Sequence, residues 1–203
     1  GFIYADPELL DILEVKMVYG VRSQALTAPK SLVISRSIAD KYFPNVDPVG
    51  KQIILNDKTN EAYTVGGVMA DFPDNSHIQP DFIMTLAERQ SGPGTGGWCC
   101  TNYIFYTKIK AGADKQRVEQ KLLDVRDSYV MGQLKTAGKT GLEEMELYHS
   151  YYLQPIADAY INTAEVSDDI THGSMELVWI FGAIDMVILL LACVNFINLT
   201  TAK

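Results

Sequence analysis

The sequence predicts an α+β domain that ends in a C-terminal transmembrane-type helix. Three observations carry this expectation. Short strand-like runs alternate with only two helical stretches, and no repeated βαβ unit is long enough for a doubly wound sheet. Nearly all the charge of the 203-residue chain lies in residues 1–175. The stretch from Leu177 to Leu199 then runs for 23 residues with a single charge, Asp185.

Ser31-Leu32-Val33-Ile34 reads as a short strand. Ser35 is placed to cap a helix from Arg36 to Phe43, because Ile38 and Tyr42 share one face at a spacing of four. Pro44 ends that helix, and Asn45 through Gly50 is turn chemistry built on Asp47-Pro48 and Gly50. Lys51 to Leu55 resumes as a strand, and residues 56–60 form a polar hairpin loop. Ala62 to Met69 is the returning strand, where Gly66-Gly67 marks either a bulge or a close approach by another element.

Asp71 to His77 is a turn cluster, and the four glycines and one proline of Ser91 to Gly97 read as a loop. Tyr103 to Ile109 alternates like a strand. Asp114 then caps a long helix to about Leu134, with Val118, Leu122, Val125 and Tyr129 facing inward. After a polar connector, Lys135 to Gly141, the run from Met145 to Ile156 is again strand-like, and a linker to about Gly173 leads into the apolar tail.

As a helix, residues 177–199 would span about 34 Å, enough for a hydrocarbon core of about 30 Å. Fourteen of those residues are Leu, Ile, Val or Phe. They contribute about −4 to −8 kcal/mol to insertion, against about +3 for a central Asp. Insertion wins despite the carboxylate, and Asn195 and Asn198 lie too near one end to reverse it. The competing reading, a fully buried helix in a soluble protein, needs cover on every face, which the 175 preceding residues rarely supply. Asp185 has two open readings: a functional role facing a partner or water, and simple tolerance in the outer third of the bilayer.

Composition narrows the partners. With 47% hydrophobic and 21% charged residues, a sizeable core is expected. A net charge of −8 without a basic cluster argues against nucleic acid and against electrostatic binding to anionic lipid. Cys99 and Cys100 are adjacent, which strains a bridge between them, and Cys193 lies in the tail, so three unpaired thiols are expected. Gly1-Phe2-Ile3-Tyr4 has neither a basic region nor a long apolar run, so it is not a signal peptide, and we expect further residues ahead of it.

The search for catalytic, cofactor and metal residues returns none. Gly138-Lys139-Thr140 resembles the end of a phosphate-binding loop, but Gln133 stands where a glycine is required and a helix, not a strand, precedes it. Gly92 to Gly97 opens no helix and is not a dinucleotide fingerprint. His77, His149 and His172 have no second ligand at metal spacing. Asp71, Asp74 and Asp81 lack a calcium-loop pattern and read as solvated loop acids, as do Glu143-Glu144 and Asp168-Asp169. No Gly-x-Ser-x-Gly elbow or Ser, His, Asp set is marked out, and the Asn198-Leu199-Thr200 sequon falls at the end of the apolar span.

Several segments together resemble a family. Phe2 to Pro7 with Leu9-Leu10 and Tyr19-Gly20 looks like its opening of extended strand, short helix and turn. Ser31 to Phe43 followed by Asp47-Pro48-Val49-Gly50-Lys51 is similar to its core, and Tyr63 to Val68 with Asp71 to His77 matches the next strand and loop. Trp179 to Lys203, including Ala192 to Thr200, looks like the second transmembrane helix of an FtsX-like permease, with Asp185 departing from the apolar residue expected there. The resemblance is to the MacB-like periplasmic core domain of FtsX-like ABC-transporter permeases.

That resemblance implies two small mixed α/β lobes, one inserted in the other at about 31–87, with 1–175 as the periplasmic domain and 176–203 as the start of a membrane helix. It implies a location in the bacterial inner membrane, a cytoplasmic ATP-binding subunit, a permease dimer, and a periplasmic adaptor or substrate. The role it implies is coupling ATP hydrolysis to export or force transmission, with no enzyme activity in this domain. Two other classes stand beside it: a membrane-anchored extracytoplasmic sensor or ligand-binding module, and a soluble enzyme with a buried C-terminal helix.

Overall fold

The computed structural model describes residues 1–55, 62–87, 103–132, 151–161 and 173–202. They divide into two compact units, Gly1–Pro73 with Gln79–Leu153, and Asp74–Ile78 with Gln154–Lys203.

The first unit is built on one mixed sheet. In chain order its elements are β1 (Phe2–Ala5), α1 (Glu8–Ile12), β2 (Met17–Tyr19), β3 (Ser31–Ser35), α2 (Arg36–Tyr42), β4 (Gln52–Ile54), β5 (Ala62–Met69), β6 (Phe82–Thr85) and α3 (Lys115–Val125). The strands lie in the order β1-β6-β3-β5-β2, with β4 also on β5. β1 runs parallel to β6 and β3 parallel to β5, while the β3–β6, β2–β5 and β4–β5 pairs are antiparallel. Strands from ahead of residue 31 and strands within 31–87 therefore share one sheet.

β3 lies between β6 and β5, and all five of its residues are buried. A strand covered on both faces needs a continuous apolar run, which Leu32-Val33-Ile34 supplies. Val33 points into one core with Ala5, Leu10, Ala25, Leu26, Met69 and Ile83. Leu32 and Ile34 point into the other, with Ala39, Val65, Val68 and Met84. The helix α1 covers the first face through Leu10, and α2 covers the second through Ala39.

Gly66 and Gly67 resolve the two alternatives left by the sequence, and both hold. Leu32 pairs with Val65 but Val33 pairs with Gly67, so Gly66 is an extra residue in β5. That bulge resets the alternation: Val65 and Val68, an odd number apart, face the same core. A Cβ on Gly66 would overlap the Ala25 carbonyl oxygen, and one on Gly67 would lie 3.1 Å from the Tyr19 oxygen. The loop between β2 and β3 thus crosses β5 where only glycine leaves room.

The long helix departs from expectation. Asp114 caps it through Gln116 N as expected, but after Val125 it widens into a π-turn, Arg126–Met131. Val118 and Leu122 are half-buried, whereas Val125 and Tyr129 are exposed. The extra residue per turn moves the covered face onto Arg126 and Met131, five apart, both of which are buried.

Tyr103 to Ile109 forms no strand, and Phe105 is 86% exposed. Alternation supplies two faces, but a ladder also needs a neighbour's backbone, and these residues have no strand partner among the described residues. Residues 151–155 are likewise irregular, and a short 3₁₀ turn, Ile156–Asp158, follows. The expected hairpin loop at 56–60, the loop at 91–97, the connector at 135–141 and the start of the strand-like run at 145–150 lie outside the described residues.

The second unit contains that 3₁₀ turn and α4 (Met175–Thr201), 27 residues long, or about 40 Å. The Ser174 hydroxyl caps α4 by accepting from Leu177 N at 3.3 Å. The Gly173 amide donates to the Tyr160 carbonyl at 2.7 Å, tying the helix base to the segment after the 3₁₀ turn.

Candidate functional site

The feature of α4 that most needs explaining is its surface. It is long and apolar enough to cross a membrane, and none of its most apolar stretch is buried. Trp179, Met186, Leu189, Phe196 and Leu199 are each more than 60% exposed. In water so long and predominantly apolar a helix would be covered by association, and a hydrocarbon phase removes that need. Two hydroxyls near its end follow the same logic. The Thr200 and Thr201 hydroxyls donate back to carbonyls of Phe196, Ile197 and Asn198 on their own helix. Cys193 is an exposed free thiol on the same helix.

Among the described residues the acids weighed as cation ligands form no group that could hold a metal ion. Asp71 sits at the N-terminus of α2, where its carboxylate accepts from Ser37 N at 3.1 Å and from Ser37 Oγ at 2.9 Å. Beside it the Ser35 hydroxyl accepts from Ile38 N at 3.3 Å, so two side chains cap one helix, and the positive end of the helix favours the carboxylate. The Asp81 carbonyl accepts from Ser35 N at 2.8 Å. Among the described residues no group of three or more His, Cys, Asp or Glu could hold a metal ion. His149, His172, Cys99, Cys100, Gly138 to Thr140, Glu143, Glu144, Asp168 and Asp169 lie outside the described residues.

Among the described residues four groups are shifted from their ordinary values. His77 is buried, and desolvation pushes its imidazole below the usual range. Burial likewise raises the Tyr106 phenol. Lys108 lowers Glu14 by a hydrogen bond at 3.0 Å and by its charge, and Asp40 raises Arg36 through a bond at 2.8 Å. The last two are solvent-exposed ion pairs of ordinary surface type.

Sequence reading missed two tertiary contacts. Arg22 donates from Nε and NH2 to the Val15 carbonyl, at 3.0 and 2.7 Å, pinning the β2–β3 loop to the chain after α1. The buried Thr85 hydroxyl donates to the Leu26 carbonyl at 2.9 Å, holding the other end of that loop. It also missed β2 and β6. Phe82-Ile83-Met84-Thr85, a short apolar run opened by Pro80-Asp81, carried a legible strand signal.

A family defined as the MacB-like periplasmic core domain matches residues 1–125, more than half of the chain. The chain belongs to that family. In solved structures, the MacB-like domain is similar to a domain of a Porphyromonas gingivalis protein assigned as a permease, 30% identical with a TM-score of 0.53. That match covers 63% of this chain and 58% of the other. The periplasmic region of MacB from Actinobacillus actinomycetemcomitans is 17% identical with a TM-score of 0.40, over 61% of this chain and 53% of that one. The chain thus spans less than two thirds of either solved chain. No curated protein matches it. The mixed sheet with helices on both faces, followed by an apolar helix of membrane-spanning length, agrees with the α+β architecture expected from the sequence.

Proposed function

We propose that this MacB-like domain is the extracytoplasmic part of an ABC-transporter permease in the bacterial inner membrane. It couples ATP hydrolysis by a separate cytoplasmic ATP-binding subunit to export or force transmission. In this reading residues 1–175 stand outside the membrane and residues 176–203 begin the next membrane helix. One observation carries the proposal: a family domain of periplasmic type is followed in the same chain by a 27-residue apolar helix whose side chains are exposed.

The physical demands of the role suit these residues. Transmitting force needs a rigid sheet and an anchored helix, and it needs no metal ligands and no shifted nucleophile. The tight helix base, with Ser174 capping and Gly173 bonded to Tyr160, gives displacement of α4 a short path into the segment before it. A permease dimer and a periplasmic adaptor or substrate complete the proposal.

The test uses the full-length permease expressed with its ATP-binding subunit, with native cysteines replaced. A cysteine at exposed Lys110 (Lys110→Cys) should react with a membrane-impermeant thiol reagent added to the periplasmic side, and the ATP-binding subunit should co-purify. Labelling only after the cytoplasm is opened, or a chain that alkaline carbonate strips from the membrane, would refute the reading.

A further inference from the structure

Asp185 lies eight residues after Leu177 and fourteen before Leu199, so about 12 Å and 21 Å of helix separate it from the ends of the apolar stretch. A carboxylate on a single methylene cannot reach either interface from that depth. In hydrocarbon it therefore requires a partner from outside α4.

A second observation marks the same face. Gly182 precedes Asp185 by three residues and Ala192 follows it by seven, so all three lie along one stripe of α4. A Cβ on Gly182 would meet nothing within 4 Å. Glycine inside a helix is less favourable than alanine, and no contact among the described residues requires it here. Small residues one turn before and two turns after a carboxylate let another helix backbone come close, which shortens the reach for a side chain on that helix.

We infer that Asp185, with Gly182 and Ala192, is the contact through which α4 docks on another transmembrane helix of the same transporter, one that presents a basic side chain to the carboxylate. This rests on the membrane reading of α4. The partner's charge follows from complementarity: a cation on the neighbouring helix holds the Asp185 carboxylate ionised where water is absent, whereas beside an all-apolar neighbour the group takes up a proton instead.

The test uses the full-length permease with its ATP-binding subunit in bacterial membranes. Asp185→Leu should insert at least as well as the parent, yet lower the assembled complex about tenfold, while Asp185→Glu restores it. Asp185→Lys should fail in the same way and be rescued when a basic residue of another span is exchanged for Asp. Independently of any folding defect, a photo-cross-linking residue at Ala192 should capture another helix of the transporter, and one at Val194, on the opposite face, should not. Unchanged assembly of Asp185→Leu, equal capture from both faces, or capture at Ala192 of α4 itself in a second copy each overturns the pairing. A parent chain stripped by alkaline carbonate overturns the membrane reading and the pairing with it, and so separates the two failures.

Discussion

Replacing Gly66 with alanine tests the central joint of the sheet. The new methyl group would overlap the Ala25 carbonyl oxygen and lie 2.8 Å from its carbon, so backbone meets backbone and no rotamer relieves it. The β2–β3 loop would have to lift. That loop is held by the buried Ala25 and Leu26, by the buried Thr85–Leu26 bond at 2.9 Å, and by Arg22 on Val15. Overpacking costs about 1–3 kcal/mol, and weakening a buried hydrogen bond adds about 1 kcal/mol. We expect Gly66→Ala to lose about 3 kcal/mol, a large part of the ~5–15 kcal/mol that holds a domain together. With a urea slope of about 2 kcal/mol/M the midpoint falls by about 1.5 M. The assay is urea unfolding followed by near-UV circular dichroism on a chain ending at Gly173. Gly50→Ala is the control: Gly50 has φ +81° with nothing within 4 Å of its Cβ position, so only backbone strain of about 1 kcal/mol applies. A Gly66→Ala midpoint within error of the Gly50→Ala midpoint would show that the crossing at Ala25 is not tight.

Ending the chain at Gly173 should leave a domain that unfolds cooperatively and stays soluble without detergent, because both cores of the first unit are built from residues between Ile3 and Met84; a broad, non-cooperative melt would count against this. Asp71→Ala should cost about 1 kcal/mol by removing both bonds to Ser37 at the start of α2, and Asp71→Asn should recover most of it. Thermal stability should decline as pH falls below about 6.5. The His77 pKa is depressed in the folded state, so the unfolded chain takes up the proton first and the neutral form's contribution, complete above that pH, is lost on acidification. His77→Gln should flatten the profile between pH 7 and 5.5; an unchanged slope would mean that another group governs it.

Local chemistry made much of this molecule readable in advance. Ser35 before an i, i+4 apolar pair defines a helix start, and the structure begins α2 at Arg36 with that hydroxyl as its cap. Ala62 to Met69 has the bulk and branching of a strand, and β5 has those bounds. The double glycine flagged a close approach, though not which loop makes it. Tyr103 to Ile109 shows where such reading fails, since its alternation is real but brings no ladder. The expected inward face of the long helix failed from Val125 onward, where the α-helix gives way to a π-turn that nothing in a 3.6-residue period announces.

The order of amino acids alone decided the split between a charged domain and an apolar tail, because hydrophobicity and helix length are summed along the chain and need no neighbour. It also decided the caps and turns, whose partners are a few residues away. Packing decided the sheet order, which sets β1 beside β6 and β2 beside β5 across some 50 or more residues, and it decided that Asp71 serves α2 rather than a cation. Those contacts join groups distant in sequence, and their free energy exists only once the two cores have brought the groups together.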